Sequence, residues 1–460
     1  MYDRTDCEWP VQTLVAIAVV AATLAIATSG MILCWDLFGT TIDGRNTAYV
    51  GAQTPESSLP GSSATYYVSP TGSDSNLGTS PSSPWRTIAK LKAFQANLVP
   101  GDSVLLQRGG VWSEQLDITN MNGSSGFPIT IGNYGTGNLP VIDGGQTSSA
   151  TGRDYCIDAL NTTFKWITID GIECRNAYKM GMTFQAYSGR GTNGVGIVVQ
   201  NSYIHHSGAG ACASCGSTPA AESGYFNQLD AQDTTGVQFL NNTLDHLGGH
   251  NALNVHFDLG GPVVSGNVVG TIAPFCNHNC IDVKGPVGGQ IKNNIVTCPG
   301  CNANTAAFYT ENVYTPASDL TYTGNIAYNV PVGFQNQTGG TCQSSPCSIK
   351  AKYYNNTVYH SSQYAFYAGT CTNHTLDIQK NIFDGGAVAI NSGCSTTWDY
   401  NDDGGVFAIT GNPVGPHDLK QINPQYVNPA GGNFTPQNTT ILNHGTNNPV
   451  TPFSHLGAGR

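Results

Sequence analysis

Charge is what this chain has least of. Of its 460 residues only 10% are Asp, Glu, Lys or Arg, and 18 basic side chains face 29 acidic ones, a formal net charge of −11. So few cations argue against nucleic acid as a partner, because phosphate binding needs clustered Lys and Arg. Helical periodicity is scarce as well. Beyond an apolar stretch near the N-terminus, only Thr87 to Leu98 carries apolar residues at helical spacing. What is plentiful is glycine, 56 residues, with much Asn, Ser and Thr. That is the composition of an all-β chain of short strands and tight turns. The 14 cysteines are many for a reduced cytosolic enzyme and ordinary for an exported chain.

No charged residue stands between Pro10 and Trp35, a length that spans the ~30 Å hydrocarbon core as a helix. Trp9 and Trp35 sit where interfacial aromatics belong. The preceding flank (Asp3, Arg4, Asp6, Glu8) is acidic on balance, unlike the start of a secretory signal. The expectation is an uncleaved transmembrane signal-anchor over 1–35, with a cleaved signal as the alternative. Either one puts the rest at the cell surface or outside the cell. Residues 36–64 read as a polar Pro/Ser/Gly linker, 65–445 as the folded domain and 446–460 as a tail.

Inside the folded region a short apolar strand ending in asparagine recurs: Asn133, Asn201, Asn242, Asn267, Asn294, Asn325, Asn356, Asn381 and Asn401, with Asp170 filling one slot. From Asp170 onward the spacings run between 20 and 41 residues, a solenoid period. Asparagine tolerates the left-handed backbone of a sharp turn. Coils stacked ~4.8 Å apart let its amides bond as a ladder. The expectation is a parallel β-helix, with the Thr87–Leu98 helix covering its open end.

The chain resembles the right-handed parallel β-helix superfamily that includes pectate lyases and related polysaccharide lyases. The resemblance rests on the entry segment (Tyr66 to Asp74, then Pro100 to Val104), the Asn-ended rungs, and the exit segment (Ile422 to Pro429, with Gly432-Asn433-Phe434). It implies an acidic polysaccharide as partner. The same superfamily holds hydrolases and non-catalytic adhesins, so a glycoside hydrolase and a structural surface or self-assembling filament subunit stay open.

Counting back from the asparagines, Asp230 lies 12 before Asn242, His256 11 before Asn267 and Asp282 12 before Asn294. Alternation then predicts Asp230, His256 and Asp282 in one column and Asp258 and Lys284 in the next. Asp233 is adjacent to them and Glu311 extends the set on the following coil. The oxygen-rich group Asp230, Asp233, Asp258 and Glu311 suits Ca²⁺. The resemblance implies β-elimination, in which a cation on the uronate carboxylate acidifies the neighbouring proton and a Lys or Arg removes it. Ile281–Gly285 is similar to strands carrying that base, so Lys284 is the expected base, with Asp282 and His256 beside it. Physics attaches a condition: carboxylates around a lysine keep it charged, the wrong state for a base, unless a bound metal offsets them. Otherwise Lys284 is a salt-bridge partner in a polar ladder.

For hydrolysis, Asp258 and Asp282 are the candidate carboxylates. His205, His206 and His246 read as turn residues. The cysteines pair locally as Cys212/Cys215, Cys276/Cys280, Cys298/Cys301, Cys342/Cys347 and Cys371/Cys394, with Cys156/Cys174 between coils. Export favours disulfides over a zinc site built from Cys276, Cys280, Cys298 and Cys301.

Overall fold

The computed structural model describes residues 63–443 other than 120, 146–152, 187–191, 209–226, 247–249, 271–278, 313–316, 339–348, 370–373, 404–408, 411–414 and 421. The apolar stretch within 1–35 lies outside the described residues, as do Cys212, Cys215, Cys276, Cys342, Cys347 and Cys371. No described helix is long and apolar enough to cross a membrane.

The described chain is a parallel β-helix of three sheets. Sheet I has 12 strands, from Thr65–Val68 to Ser395–Asp399. Sheet II has 10, from Val111–Trp112 to Ile382–Asp384, and sheet III has 11, from Leu116–Asp117 to Ile409–Thr410. Each coil visits I, II and III in turn, and each strand pairs in parallel with the coils before and after it. Every second residue enters the core, which is why Val104 and Leu106 are buried within Ser103–Gln107 while their neighbours are not.

Because the coils are in register, the core is built of columns. In sheet I one column runs Val199, Phe239, Val264, Ile291, Tyr322, Tyr353, Ile378, Trp398. The rings of Tyr322 and Tyr353 stack at 4.8 Å, as do those of Phe308 and Phe334 in sheet III, matching the spacing of the coils. Both tyrosine hydroxyls of the sheet I column are partnered: Tyr322 with Thr310 and Tyr353 donating to Asn336, each at 2.6 Å. Tyr353→Phe strands the Asn336 acceptor and is expected to cost about 1–3 kcal/mol in urea unfolding.

The asparagine ladder forms where sheet I turns into sheet II. Asn242, Asn267, Asn294, Asn325, Asn356, Asn381 and Asn401 are buried. Each amide nitrogen donates to the next Oδ1 at 2.9–3.1 Å. These residues are not the left-handed ones. The left-handed position is the residue before the rung, filled by Asn201, Asn241, Gly266, Asn293, Gly324, Asn355, Lys380 and Tyr400. Three sequence assignments shift accordingly. Asn201 is a turn residue whose rung is Ser202, which donates its backbone N–H to Asn242. Asp170 closes strand Ile167–Asp170, and Asn133 lies within strand Ile129–Tyr134, donating to the Asp170 and Gly171 carbonyls.

The ends are closed differently. Helix α1, Ile88–Phe94, starts at Thr87, whose side chain accepts from the Lys90 N–H, and buries Ile88 and Leu91 over the first coils. The exit segment does not continue the helix. It forms an antiparallel hairpin, Tyr426–Asn428 with Asn433–Pro436. Its Phe434 and Tyr426 pack on Ile295, Ile326, Tyr328 and Tyr359 of sheet II. Cys156 and Cys174 form a disulfide between coils, Cys298 and Cys301 form another, and Cys394 is also disulfide-bonded. The second of these takes two of the four thiols a zinc site would have used.

Candidate functional site on the outer face of sheet III

On sheet III the residues Leu229, Leu253, Ile281 and Phe308 point inward. Their neighbours therefore point outward, and two columns result. One runs Asp117, Asp158, Thr183, Asp230, Asn254, Asp282, Tyr309, Gln335, Tyr367. The other, two residues along, runs Gln185, Gln232, His256, Lys284, Glu311, Gln337. His256 thus lies beside Lys284 rather than in line with Asp230 and Asp282; Asn254 holds that place. Lys284 and Glu311 are neighbours on successive coils, as the sequence suggested.

The first column is buried although it faces outward: Asp230, Asn254 and Asp282 are all 0% exposed. Burying carboxylates demands partners. Asp230 receives them from neutral groups. Thr183 and Gln185 donate to its Oδ2 at 2.9 and 2.6 Å, and Asn227 and Asn254 to its Oδ1 at 2.9 and 2.6 Å. Asp282 accepts from Asn251 at 3.1 Å, and the imidazole Nε2 of His256 stands 3.6 Å from its other oxygen. Burial alone would push the Asp282 carboxyl up. The His256 imidazole and the positive fields of Lys284 and His250 outweigh it and hold the group well below the usual carboxylate range. Lys284 is ion-paired with Glu311 at 2.6 Å, both side chains reaching solvent at 15% and 14%. Burial, then the charges of Glu311 and Asp282, push the Tyr309 hydroxyl up, so it stays a neutral donor.

A second, shorter asparagine ladder supports this face. The backbone N–H groups of Asn251, Asn279 and Ala306 donate to the side chains of Asn227, Asn251 and Asn279 at 3.2, 3.0 and 3.3 Å. Its signal in the sequence is an Asn three residues before each of Asp230, Asn254 and Asp282.

Asp258 and Asp233 lie beyond the strands, in the turn toward sheet I. Asp258 accepts the backbone N–H groups of Gly236, Val237 and Gly260 and the Thr234 hydroxyl, all at 2.9–3.0 Å. Asp233 is a left-handed turn residue. With Asp230 held by amides, Asp258 by a turn and Glu311 by Lys284, the four carboxylates do not form one oxygen cage. A Ca²⁺ ion does not fit this set.

At the N-terminal end of the same column, Asp117 and Asp158 sit side by side under Gln115, which donates to Asp158 at 2.9 Å. Lys92 pairs with Asp117, whose carboxyl lies below its ordinary value, the pull of Lys92 outweighing burial. Burial, then the adjacent Asp117, push Asp158 up to about 7. A carboxyl raised on folding favours the folded state while protonated in it, and that contribution is lost as pH climbs from the ordinary value of 3.8 through about 7. Asp158→Asn is therefore expected to flatten the fall in Tm between pH 5 and pH 8, measured by calorimetry.

No family profile matches the chain. A stretch of 99 residues, 20% of this chain, is 41% identical to a lacto-N-biosidase of Bifidobacterium longum subsp. longum, and that match spans only 6% of the bifidobacterial protein. Among solved structures, a pectate lyase superposes with a TM-score of 0.51 at 18% identity, over 74% of this chain and 79% of the lyase. An alginate lyase from Paenibacillus sp. str. FPU-7 gives 0.46 at 16% identity over 73% and 96%. A lacto-N-biosidase from Eubacterium ramulus gives 0.45 at 14% over 78% and 68%. The fold is thus the pectate lyase-like parallel β-helix.

Proposed function

We propose that this protein cleaves an acidic polysaccharide laid along the outer face of sheet III, by β-elimination centred on His256, Asp282 and Lys284. The observation that carries the reading is the meeting of two polar pairs, His256 with Asp282 and Lys284 with Glu311, on three successive coils of a chain with very little charge. The roles follow from their states. Lys284, held charged by Glu311, is the cation that binds the uronate carboxylate and acidifies the proton beside it. His256 is the base, oriented by the ionised Asp282 beneath it. Tyr309 supplies a neutral hydrogen bond to a sugar hydroxyl, and Tyr364 and Tyr367 farther along the sheet offer aromatic surface to the chain of sugars.

Hydrolysis is the second reading. It is favoured by the local likeness to a lacto-N-biosidase and by two carboxylates, Asp282 and Glu311, on adjacent coils. Incubation with pectate, alginate, glycosaminoglycans and lacto-N-tetraose-type oligosaccharides separates the two. Elimination yields an ultraviolet-absorbing unsaturated end with each new reducing end, while hydrolysis yields reducing ends alone. Chelator is expected to leave the elimination rate unchanged. No product from any of them would turn the reading to a non-catalytic surface rod, tethered through residues 1–35.

A further inference from the structure

Sheet II carries a histidine cluster that the sheet III chemistry does not use. Its strands Glu173–Arg175, Tyr203–His205 and Thr243–Asp245 lie in register, so that Arg175, His205 and Asp245 are neighbours on successive coils. Ile204 and Leu244 enter the core, which turns Tyr203, His205 and Asp245 outward. Each of the last two strands is followed by a left-handed histidine, His206 at φ 53° and His246 at φ 47°. Their rings stack at 4.2 Å. Histidine is tolerated in that conformation, so the turn alone explains the residue type but not what the imidazoles face.

Nδ1 of His205 stands 2.6 Å from Nδ1 of His206. That is a hydrogen-bond distance, with one proton shared between the two nitrogens; a metal at ~2.0–2.1 Å from each would replace that proton and move the rings apart. The other nitrogen of His205 faces Glu173 at 3.2 Å, which fixes Nε2 as the N–H donor and leaves Nδ1 with its lone pair. A carboxylate oxygen of Asp245 completes the group, all three donor atoms within 4.8 Å of one another. Asp245 is itself oriented by the Tyr203 hydroxyl at 2.8 Å and the His246 ring at 2.9 Å. Asp143 and Glu173 pair with the Arg175 guanidinium, and Asp245 lies two coils further along, a local excess of negative charge. Two imidazoles and one carboxylate suit a borderline cation, and three protein ligands leave a position for water.

We propose that His205, His206 and Asp245 bind a divalent transition metal of the zinc type, bridging two coils of sheet II, with Glu173, Tyr203 and His246 holding the ligands in place. The test uses the untagged full chain, freed of metal by chelation and titrated with Zn²⁺ and Co²⁺ in a calorimeter. One equivalent is expected to bind. Co²⁺ should give the visible absorption of a four- or five-coordinate ion with nitrogen ligands, and Zn²⁺ should raise Tm. His206→Ala and Asp245→Asn should each remove that binding, and Glu173→Gln should weaken it about 10–100-fold. His360→Ala, a left-handed turn histidine farther along sheet II, should leave it unchanged. A variant that melts like the parent in chelator yet gains nothing from Zn²⁺ supports the site. Absence of saturable binding by the parent overturns it, and so does undiminished binding by both ligand variants.

Discussion

Cleavage by the His256→Gln protein is expected to fall about 10²–10⁴-fold while its Tm stays within a few degrees of the parent. Glutamine is the suitable replacement because Gln232 already fills the equivalent position on the preceding coil, so the outer face of sheet III accommodates it. What is lost is the imidazole that serves as base in the proposed elimination. Asp282→Asn keeps the shape and the bond from Asn251 but removes the charge 3.6 Å from the ring. It should lower kcat with KM little changed, because it acts through His256. Lys284→Ala should instead raise KM for a uronate substrate as well, since the carboxylate loses its cation, and Lys284→Arg should recover part of that loss. Initial rates on whichever polysaccharide is cleaved measure all four variants. Parent-like rates in both His256→Gln and Lys284→Ala would take the chemistry off this face.

The fold was legible because its rule is repetitive. One apolar strand ended by Asn recurs, and stacking seven such side chains inside the core leaves few alternatives. The register within a coil was less legible. Between sheets III and I the chain takes turns of different length: Asp233 to Val237 on one coil, Phe257 to Pro262 on the next, and only Gly285 and Pro286 on the one after. Counting back from the ladder therefore misplaced His256 by one column, and only hydrogen-bonded pairing could assign Asn254 to the place between Asp230 and Asp282. The acids were legible as a concentration of charge, but not their different tasks. Asp258 serves backbone amides, Asp230 is held by side-chain amides, and only Asp282 faces a base. Those partners come from other coils and from the Asn227, Asn251 and Asn279 ladder. The short spacing of that ladder to the acids is visible once the register is known.

The two neighbouring asparagines Asn293 and Asn294 should differ severalfold in what their replacement costs. Asn293 is exposed and sits at φ 56°. Replacing it by Ala forces an ordinary side chain into the left-handed region for about 1 kcal/mol, and Gly there should be neutral or better. Asn294 is 0% exposed. Its amide donates to Asn325 Oδ1 at 3.0 Å and to the Val264 carbonyl at 2.9 Å, while its oxygen accepts both the backbone and side-chain N–H of Asn267 at 3.0 Å. Asn294→Ala leaves two or three of those buried groups unpaired at about 1–3 kcal/mol each, a loss of roughly 3–6 kcal/mol. It also cuts the ladder in its middle, so the damage falls on two coils. Asn294→Asp sharpens the test. The introduced carboxyl is buried among groups expecting a donor, its pKa is raised, and the loss should deepen as pH rises through that raised value. Urea midpoints at two pH values, read for each variant against the parent, check both claims. Equal costs at positions 293 and 294 would mean that the turn, not the ladder, holds the coils together.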